Sequence, residues 1–440
     1  MPDLRTMGAS DLRAFRDGIR SEYDAFRRRG LALNMTRGKP SEAQLDLANR
    51  LLELPGADDY VAADGTDCRN YGGSVQGLPE ARAIFARALG APIEQILLSG
   101  GASLALMHDT IVFALLTGVP DGAGPWSAEA PISFICPVPG YDRHFAICEQ
   151  YGIRMLAVPM TGDGPDVDAV EALVATDPSI KGMWCVPKYS NPSGDVYSAE
   201  TVERLARMRT AAPDFRLFWD NAYAVHHLTD TPYEIANVLE LAVQDGTPNR
   251  PLMFASTSKI TLAGAGLSMV AASPENMRWL VGRMSRQTIG PDKINELRHV
   301  RFLRDDDGLK AIMDAHRAIL APKFRAVLDV FADRLRGSGV ATWTEPKGGY
   351  FVSLDVPDGC AARVVELAKD AGVALTGAGA TYPYGKDPHD RNIRIAPTYP
   401  SAEEVAQAAE AVALCTLLAA SEALLAGQEQ HPVAAAIPAL

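Results

Sequence analysis

Cysteine is scarce and basic residues are outnumbered. Six cysteines occur in 440 residues: Cys68, Cys136, Cys148, Cys185, Cys360 and Cys415. None stands in a CxxC or other metal-ligand spacing, so no metal site is expected. Their scatter suits buried thiols of a reducing compartment. Lys and Arg number 42 against 54 Asp and Glu, for a formal net charge of −12. That balance disfavours sequence-independent nucleic-acid binding, which needs clustered cations. No apolar run reaches the ~18 residues of a membrane span. The N-terminus, MPDLRTMGASDLRAFRDGIRSEY, is too polar for a secretory signal. These absences predict a cytoplasmic protein with neither nucleic acid nor membrane among its partners.

What is present is an ordinary globular composition, 47% hydrophobic and 22% charged, on a chain long enough for two or three domains. A helix is expected from about Asp11 to Arg28. Ser41 followed by Gln44 reads as a capping box, and so does Ser401 followed by Glu404. Between them, strand-like runs (QILLSG, PISFICPV, IRMLAVPM, IKGMWCVP, FRLFWD, PLMFAS, LSMVAAS) alternate with helical segments. This order predicts an α/β fold with a mostly parallel, seven-stranded sheet covered on both faces. Beyond Ser273 the pattern shifts to helices and then to a smaller α+β unit. The expected division is an N-terminal segment 1–50 joining the small domain, a large domain 51–300, a small domain 301–425 and a loose tail 426–440.

Five short motifs follow predicted strands: SGGAS (Ser99–Ser103), PGY (Pro139–Tyr141), NPSG (Asn191–Gly194), DNAY (Asp220–Tyr223) and STSK, ending in Lys259. In a parallel sheet the strand carboxyl ends share one edge, where open α/β sheets bind ligands. Gly101, Ala102 and Ser103 open a helix, which serves either plain capping or a phosphate. Tyr141 can pack in the core or present its face to a flat ring. Asn191 before proline is also a turn former. Asp220 ends an apolar run, so its carboxylate needs a partner; a helix N-cap or a pyridinium N–H would both serve. Tyr223 offers a phenol to a ring oxygen. Lys259 is either an exposed loop lysine or a desolvated nucleophile for an aldehyde.

In order along the chain, YGGSVQGLPEAR, SGGAS, PGY, NPSG, DNAY, STSK, GGYF and NIRIAP resemble the motifs of the fold-type I, class I aminotransferases that use pyridoxal 5′-phosphate (PLP). With the RGKP loop they extend from about Gly38 to Pro397. The wording LNMTRGKPS and KITLAGAG is most similar to a divergent bacterial subgroup of aspartate aminotransferases. The resemblance implies transfer of the aspartate amino group to 2-oxoglutarate by a ping-pong mechanism. It implies that Lys259 captures the cofactor aldehyde and shuttles the proton, and that Asp220 pairs with the ring nitrogen. Asn191 and Tyr223 would bond the ring oxygen and Tyr141 would stack on the ring. Gly101, Ala102, Ser103 and Ser256 would surround the phosphate. Tyr71 would reach it from the neighbouring subunit of a homodimer. Arg394 would clamp the substrate α-carboxylate, bordered by Asn191, with Gly38 closing over it.

One departure stands out. The family usually carries a phosphate-gripping arginine eight residues after the lysine, and here that position is Leu267. Either hydroxyls, a helix dipole and another cation meet the phosphate charge, or the loop is remodelled. For the side-chain carboxylate of a dicarboxylic substrate, Arg37 is one candidate. Lys293 and Arg298, acting across a dimer interface, are others. Rival readings keep the cofactor but change the donor or the reaction, as in a β-lyase. A PLP-binding transcription regulator would need a basic helix-turn-helix that LNMTRGKPS does not supply. A structural protein with a dead site conflicts with the presence of Lys259, Asp220 and Arg394.

Overall fold

The computed structural model describes residues 1–129 and 131–430. Its centre is a seven-stranded sheet. In chain order the strands are β1 (Ile96–Gly100), β2 (Ser133–Val138), β3 (Arg154–Pro159), β4 (Ile180–Cys185), β5 (Arg216–Asp220), β6 (Pro251–Ser256) and β7 (Leu267–Ala272). Their spatial order is β1-β7-β6-β5-β4-β2-β3. Only β7 runs against its neighbours, as the expectation of a mostly parallel sheet allows. Strands β2, β4, β6 and β7 are buried at every position. Helices cover both faces, so these strands need apolar residues on both sides rather than in alternation. The edge strand β3 is only partly covered, with Met155 and Val158 buried and its two ends exposed.

A second core lies beside the sheet. It gathers the helix Ala9–Arg27, the C-terminal part of the long helix Asp306–Leu335, the helix Ala361–Asp370 and the helix Ala402–Gln430. A small antiparallel sheet, β8 (Thr342–Trp343), β9 (Val352–Asp355) and β10 (Asn392–Ile395), closes it in the order β10-β9-β8. Leu33–Asn34 pairs in parallel with Val373–Ala374 and ties the N-terminal segment to this core. Both capping boxes form. The Ser41 N–H donates to Gln44 Oε1 at 3.1 Å, and the Ser401 N–H donates to Glu404 Oε2 at 2.7 Å.

Two expectations are corrected. The tail does not begin at 426, because the last helix continues to Gln430; residues 431–440 lie outside the described residues. An apolar stretch of membrane-spanning length also exists. An 18-residue window of the helix Ala402–Gln430 is long and apolar enough by composition. Its physical role is different, since 78% of that window is buried inside the protein as a core helix. Glu410, Thr416 and Ser421–Glu422 break the uninterrupted apolar run in the sequence. The six cysteines are all buried and free.

Candidate active site

All strands except β7 end at one edge, so the five turn motifs meet there. They line a cavity of about 240 Å³. Ala102 and Ser103 follow β1, Tyr141 follows β2 and Asn191 follows β4. Asp220 and Tyr223 come from β5, and Ser256 and Lys259 from β6. Arg37 and Gly38 enter from the N-terminal segment, and Arg394 from β10. Gly101 lies just outside the lining. It takes a positive φ of 82° and donates its N–H to the Gly266 carbonyl at 3.0 Å, so it shapes the turn from behind.

Lys259 is half-buried, and its Nζ lies 5.2 Å from the centre of the Tyr223 ring and 5.9 Å from that of Tyr350. Burial lowers its pKa, and the negative charge of Asp220 opposes that shift. Its backbone is buttressed. The Tyr350 hydroxyl donates to the Lys259 carbonyl at 3.4 Å and accepts from Gln44 Nε2 at 3.0 Å. Gln44 Nε2 also meets His316 Nδ1 at 3.1 Å, and His316 Nε2 meets the Ile260 carbonyl at 2.9 Å. One tautomer satisfies all of these bonds: His316 carries its proton on Nε2 and accepts at Nδ1.

Asp220 is 3% exposed. One carboxylate oxygen, Oδ2, meets His144 Nε2 at 3.1 Å. The other, Oδ1, is buried without a partner among the described residues. The His144 ring stacks on Trp184 with centroids 4.3 Å apart and planes 8° apart, which fixes its orientation. Burial, helped by Asp220 and Asp142, pushes the Tyr141 phenol up to about 12. Burial also raises the Tyr223 phenol, so both are neutral donors near pH 7.

At the other end of the cavity, Ser103, Ser256 and Ser258 present hydroxyls beside the first turn of the helix Ser103–Thr117. Ser258 Oγ is buried and has no partner among the described residues. Leu267 is the first residue of β7; its N–H donates to Thr257 Oγ1 at 2.9 Å. Its side chain belongs to the large core rather than to the cavity. Leu267 therefore contributes no charge to the cavity. The lining cations are Arg37, Lys39, Arg143, Lys259 and Arg394.

Arg394 is 5% exposed. Its Nη1 donates to Asp142 Oδ1 at 3.0 Å and to Asn191 Oδ1 at 3.4 Å. Gly38 lies against Phe351; a Cβ there would come within 2.6 Å of the ring. Arg37 lines the cavity, exposed, and its guanidinium has no hydrogen bond or ion pair among the described residues.

The three residues expected to act across a dimer interface lie outside this chain's own cavity. Tyr71 is 79% exposed and borders a separate surface pocket with Ile289 and Lys293. Lys293 Nζ donates to the Gly72 carbonyl at 2.9 Å, and Arg298 Nε to the Leu54 carbonyl at 3.1 Å. Within one chain both side chains are engaged by loop carbonyls. Conversely, the sequence reading passed over Asp142, Arg143, His144, Ser258 and Phe351. The Asp142–His144 triplet follows PGY directly, so its place after a strand-ending turn was the available signal.

With the geometry established, similarity to known proteins can be placed on it. The family described as Aspartate amino-transferase matches residues 7–429. An aspartate aminotransferase of Corynebacterium glutamicum is 51% identical over 419 residues, covering 95% of this chain and 96% of that protein. The crystal structure of an aspartate transaminase from Corynebacterium glutamicum has a TM-score of 0.94 at 50% identity, covering 96% of this chain and 99% of that one. An α-aminoadipate aminotransferase of Thermus thermophilus, solved with N-(5′-phosphopyridoxyl)-L-leucine, has a TM-score of 0.71 at 22% identity, covering 91% and 95%. At that identity it speaks for the fold alone, which is fold type I of the PLP-dependent aminotransferases. The chain belongs to the aspartate aminotransferase family, and it is an aminotransferase.

Proposed function

We propose that this chain moves the amino group of aspartate to 2-oxoglutarate in two half-reactions, with PLP held in the cavity described above. Family membership implies the cofactor, and the residues fit it. Asp220 keeps a buried oxygen without a partner, suited to a protonated ring nitrogen. Ser258 keeps a buried hydroxyl without a partner among other hydroxyls and a helix N-terminus, suited to a phosphate. When bound, PLP supplies the electron sink that stabilises a carbanion at the substrate Cα.

The protein residues do the rest. Lys259 Nζ, its proton affinity lowered by burial, would hold the cofactor at its aldehyde carbon with loss of water, and is placed to hold and return the substrate Cα proton. Asp220, oriented by His144, keeps the ring nitrogen protonated. Tyr223 and Asn191 would donate to the ring oxygen, and Tyr141 would cover the ring face. Ala102, Ser103, Ser256 and Ser258 hold the phosphate, with Gly101 shaping their turn. Arg394 takes the α-carboxylate, and Gly38 and Phe351 exclude water above it. Arg37, a cation of the same chain facing the same cavity, reads the side-chain carboxylate. Lys293 and Arg298 are already engaged by carbonyls and are the weaker candidates. Tyr71 and Ile289 form an exposed apolar face beside Lys293, which supports a homodimer in which Tyr71 completes the partner's site.

The observation that carries this reading is the convergence of Lys259, Asp220 and Arg394 on one cavity. The test is a spectral titration of the protein loaded with PLP. Its visible absorbance is expected to bleach with L-aspartate and to return with 2-oxoglutarate. Bleaching by another amino acid and not by aspartate would keep the enzyme class and reject the donor. No cofactor band at all would reject the role of Lys259.

A further inference from the structure

The guanidinium of Arg394 already carries an anion. Its Nη1 lies 3.0 Å from Asp142 Oδ1, whereas its polar neighbours Asn191 and Thr376 stand at 3.4 Å. Nε is buried and has no partner among the described residues. Arg394 belongs to β10 of the small sheet, and Asp142 opens the helix Asp142–Gln150 that follows β2 of the large sheet. Both line the cavity. The Asp142 side chain is 36% exposed against 5% for Arg394, so the acid is the partner free to move.

An α-carboxylate arriving at Arg394 meets a charge that is already paired. It must take N–H groups that Asp142 holds, or settle beside a second carboxylate and suffer its repulsion. Asp142 has somewhere to go. It sits in the first turn of its helix, where the dipole favours an anion, and it faces solvent. We propose that Asp142 is a resident carboxylate that holds Arg394 in the resting enzyme and is exchanged for the substrate's α-carboxylate. It is thereby an affinity-setting residue for both half-reactions, since the amino acid and the 2-oxo acid present the same group. This rests on the reading that Arg394 binds that carboxylate.

The contact also joins the small sheet to the helix that follows β2, so displacing it leaves the guanidinium bridged through substrate instead. An orienting role for Asp142 would have the opposite sign, because its removal would then loosen Arg394 and weaken binding.

The experiment compares wild type, Asp142→Asn and Arg394→Lys. KM and kcat are measured for L-aspartate and 2-oxoglutarate, with the equilibrium Kd for succinate, a dicarboxylate that cannot react. Asp142→Asn is expected to lower both KM values and the succinate Kd about two- to fivefold, the range a half-exposed ion pair supports, with kcat within about twofold. Arg394→Lys is expected to raise all three. Raised or unchanged values in Asp142→Asn, with Arg394→Lys still raising them, overturn the exchange and leave the reading of Arg394 intact. Unchanged values in Arg394→Lys overturn that reading and the exchange with it. Asp142→Ser, which is smaller and equally uncharged, separates the effect of charge from that of the amide; it must move the constants in the same direction.

Discussion

Glu296 offers a prediction whose size follows from the structure. It lies in the helix Lys293–Leu303, fully buried. Its Oε2 accepts the Leu78 N–H at 2.7 Å, while Oε1 has no partner among the described residues. Burial raises its pKa from 4.5 to about 7, with Asp292 adding to the shift and the Leu78 N–H, Lys293 and Arg82 opposing it. The folded value lies above the unfolded one, so folding disfavours the carboxylate. The contribution of Glu296 to stability is therefore fully present below about pH 4.5 and is lost as pH rises toward 7. The shift corresponds to roughly 3 kcal/mol. Glu296→Gln keeps an oxygen for the Leu78 N–H and cannot ionise. Relative to wild type it should gain roughly 2–3 kcal/mol between pH 5 and pH 8. With an unfolding entropy near 2.1 cal/mol/K per residue, that is about 3 °C in Tm. The assay is thermal unfolding of both proteins at fixed concentration across that pH range. Parallel Tm curves would refute the reasoning, because they would mean that Glu296 ionises as freely in the fold as out of it.

Other expectations concern the cavity. His144→Leu removes the hydrogen bond to Asp220, and turnover should fall about ten- to a hundredfold, the scale of a hydrogen bond to a charged group, with an unchanged circular dichroism spectrum. Unchanged turnover would remove His144 from the site. Gly38→Ala drives a Cβ against Phe351 and should raise KM for amino acids about five- to a hundredfold at unchanged cofactor content, reflecting about 1–3 kcal/mol of crowding; an unaltered KM would show that the ring yields freely. Tyr71→Phe should leave thermal stability within about 0.5 kcal/mol, as for any exposed site, yet weaken cofactor retention on dialysis. Mixed with Lys259→Ala subunits it should recover one intact site per heterodimer, and no recovery would argue against a shared site.

Much of this was legible because it is local. A run such as FRLFW ending in Asp220 states both the strand and its buried end. The turn motifs state where each strand stops, and parallel pairing then assembles them without further information. What stayed hidden depends on distant partners. Gln44 reads as half of a capping box, and it is one, but its amide also meets His316, 272 positions away. His144 looks like any polar residue of an amphipathic helix until Asp220 and Trp184 are placed around it. The contact of Arg394 with Asp142 joins the small sheet to the helix that follows β2. Leu267 signalled a missing charge, while the direction of its side chain had to wait for the register of β7 with β1. The Ala402–Gln430 helix could be read from its capping box, whereas its burial as a core helix is a tertiary property.

That last helix packs against the helix Ala9–Arg27 in a shared core. The consequence concerns synthesis. Leu12, Ile19, Tyr23 and Phe26 leave the ribosome early, but the surface that covers them is made nearly four hundred residues later. At about 5–20 residues per second the wait is on the order of a minute or less. During it the large sheet can form while the N-terminal helix remains an uncovered apolar stripe. A ribosome stalled before Ala402 would leave that stripe uncovered.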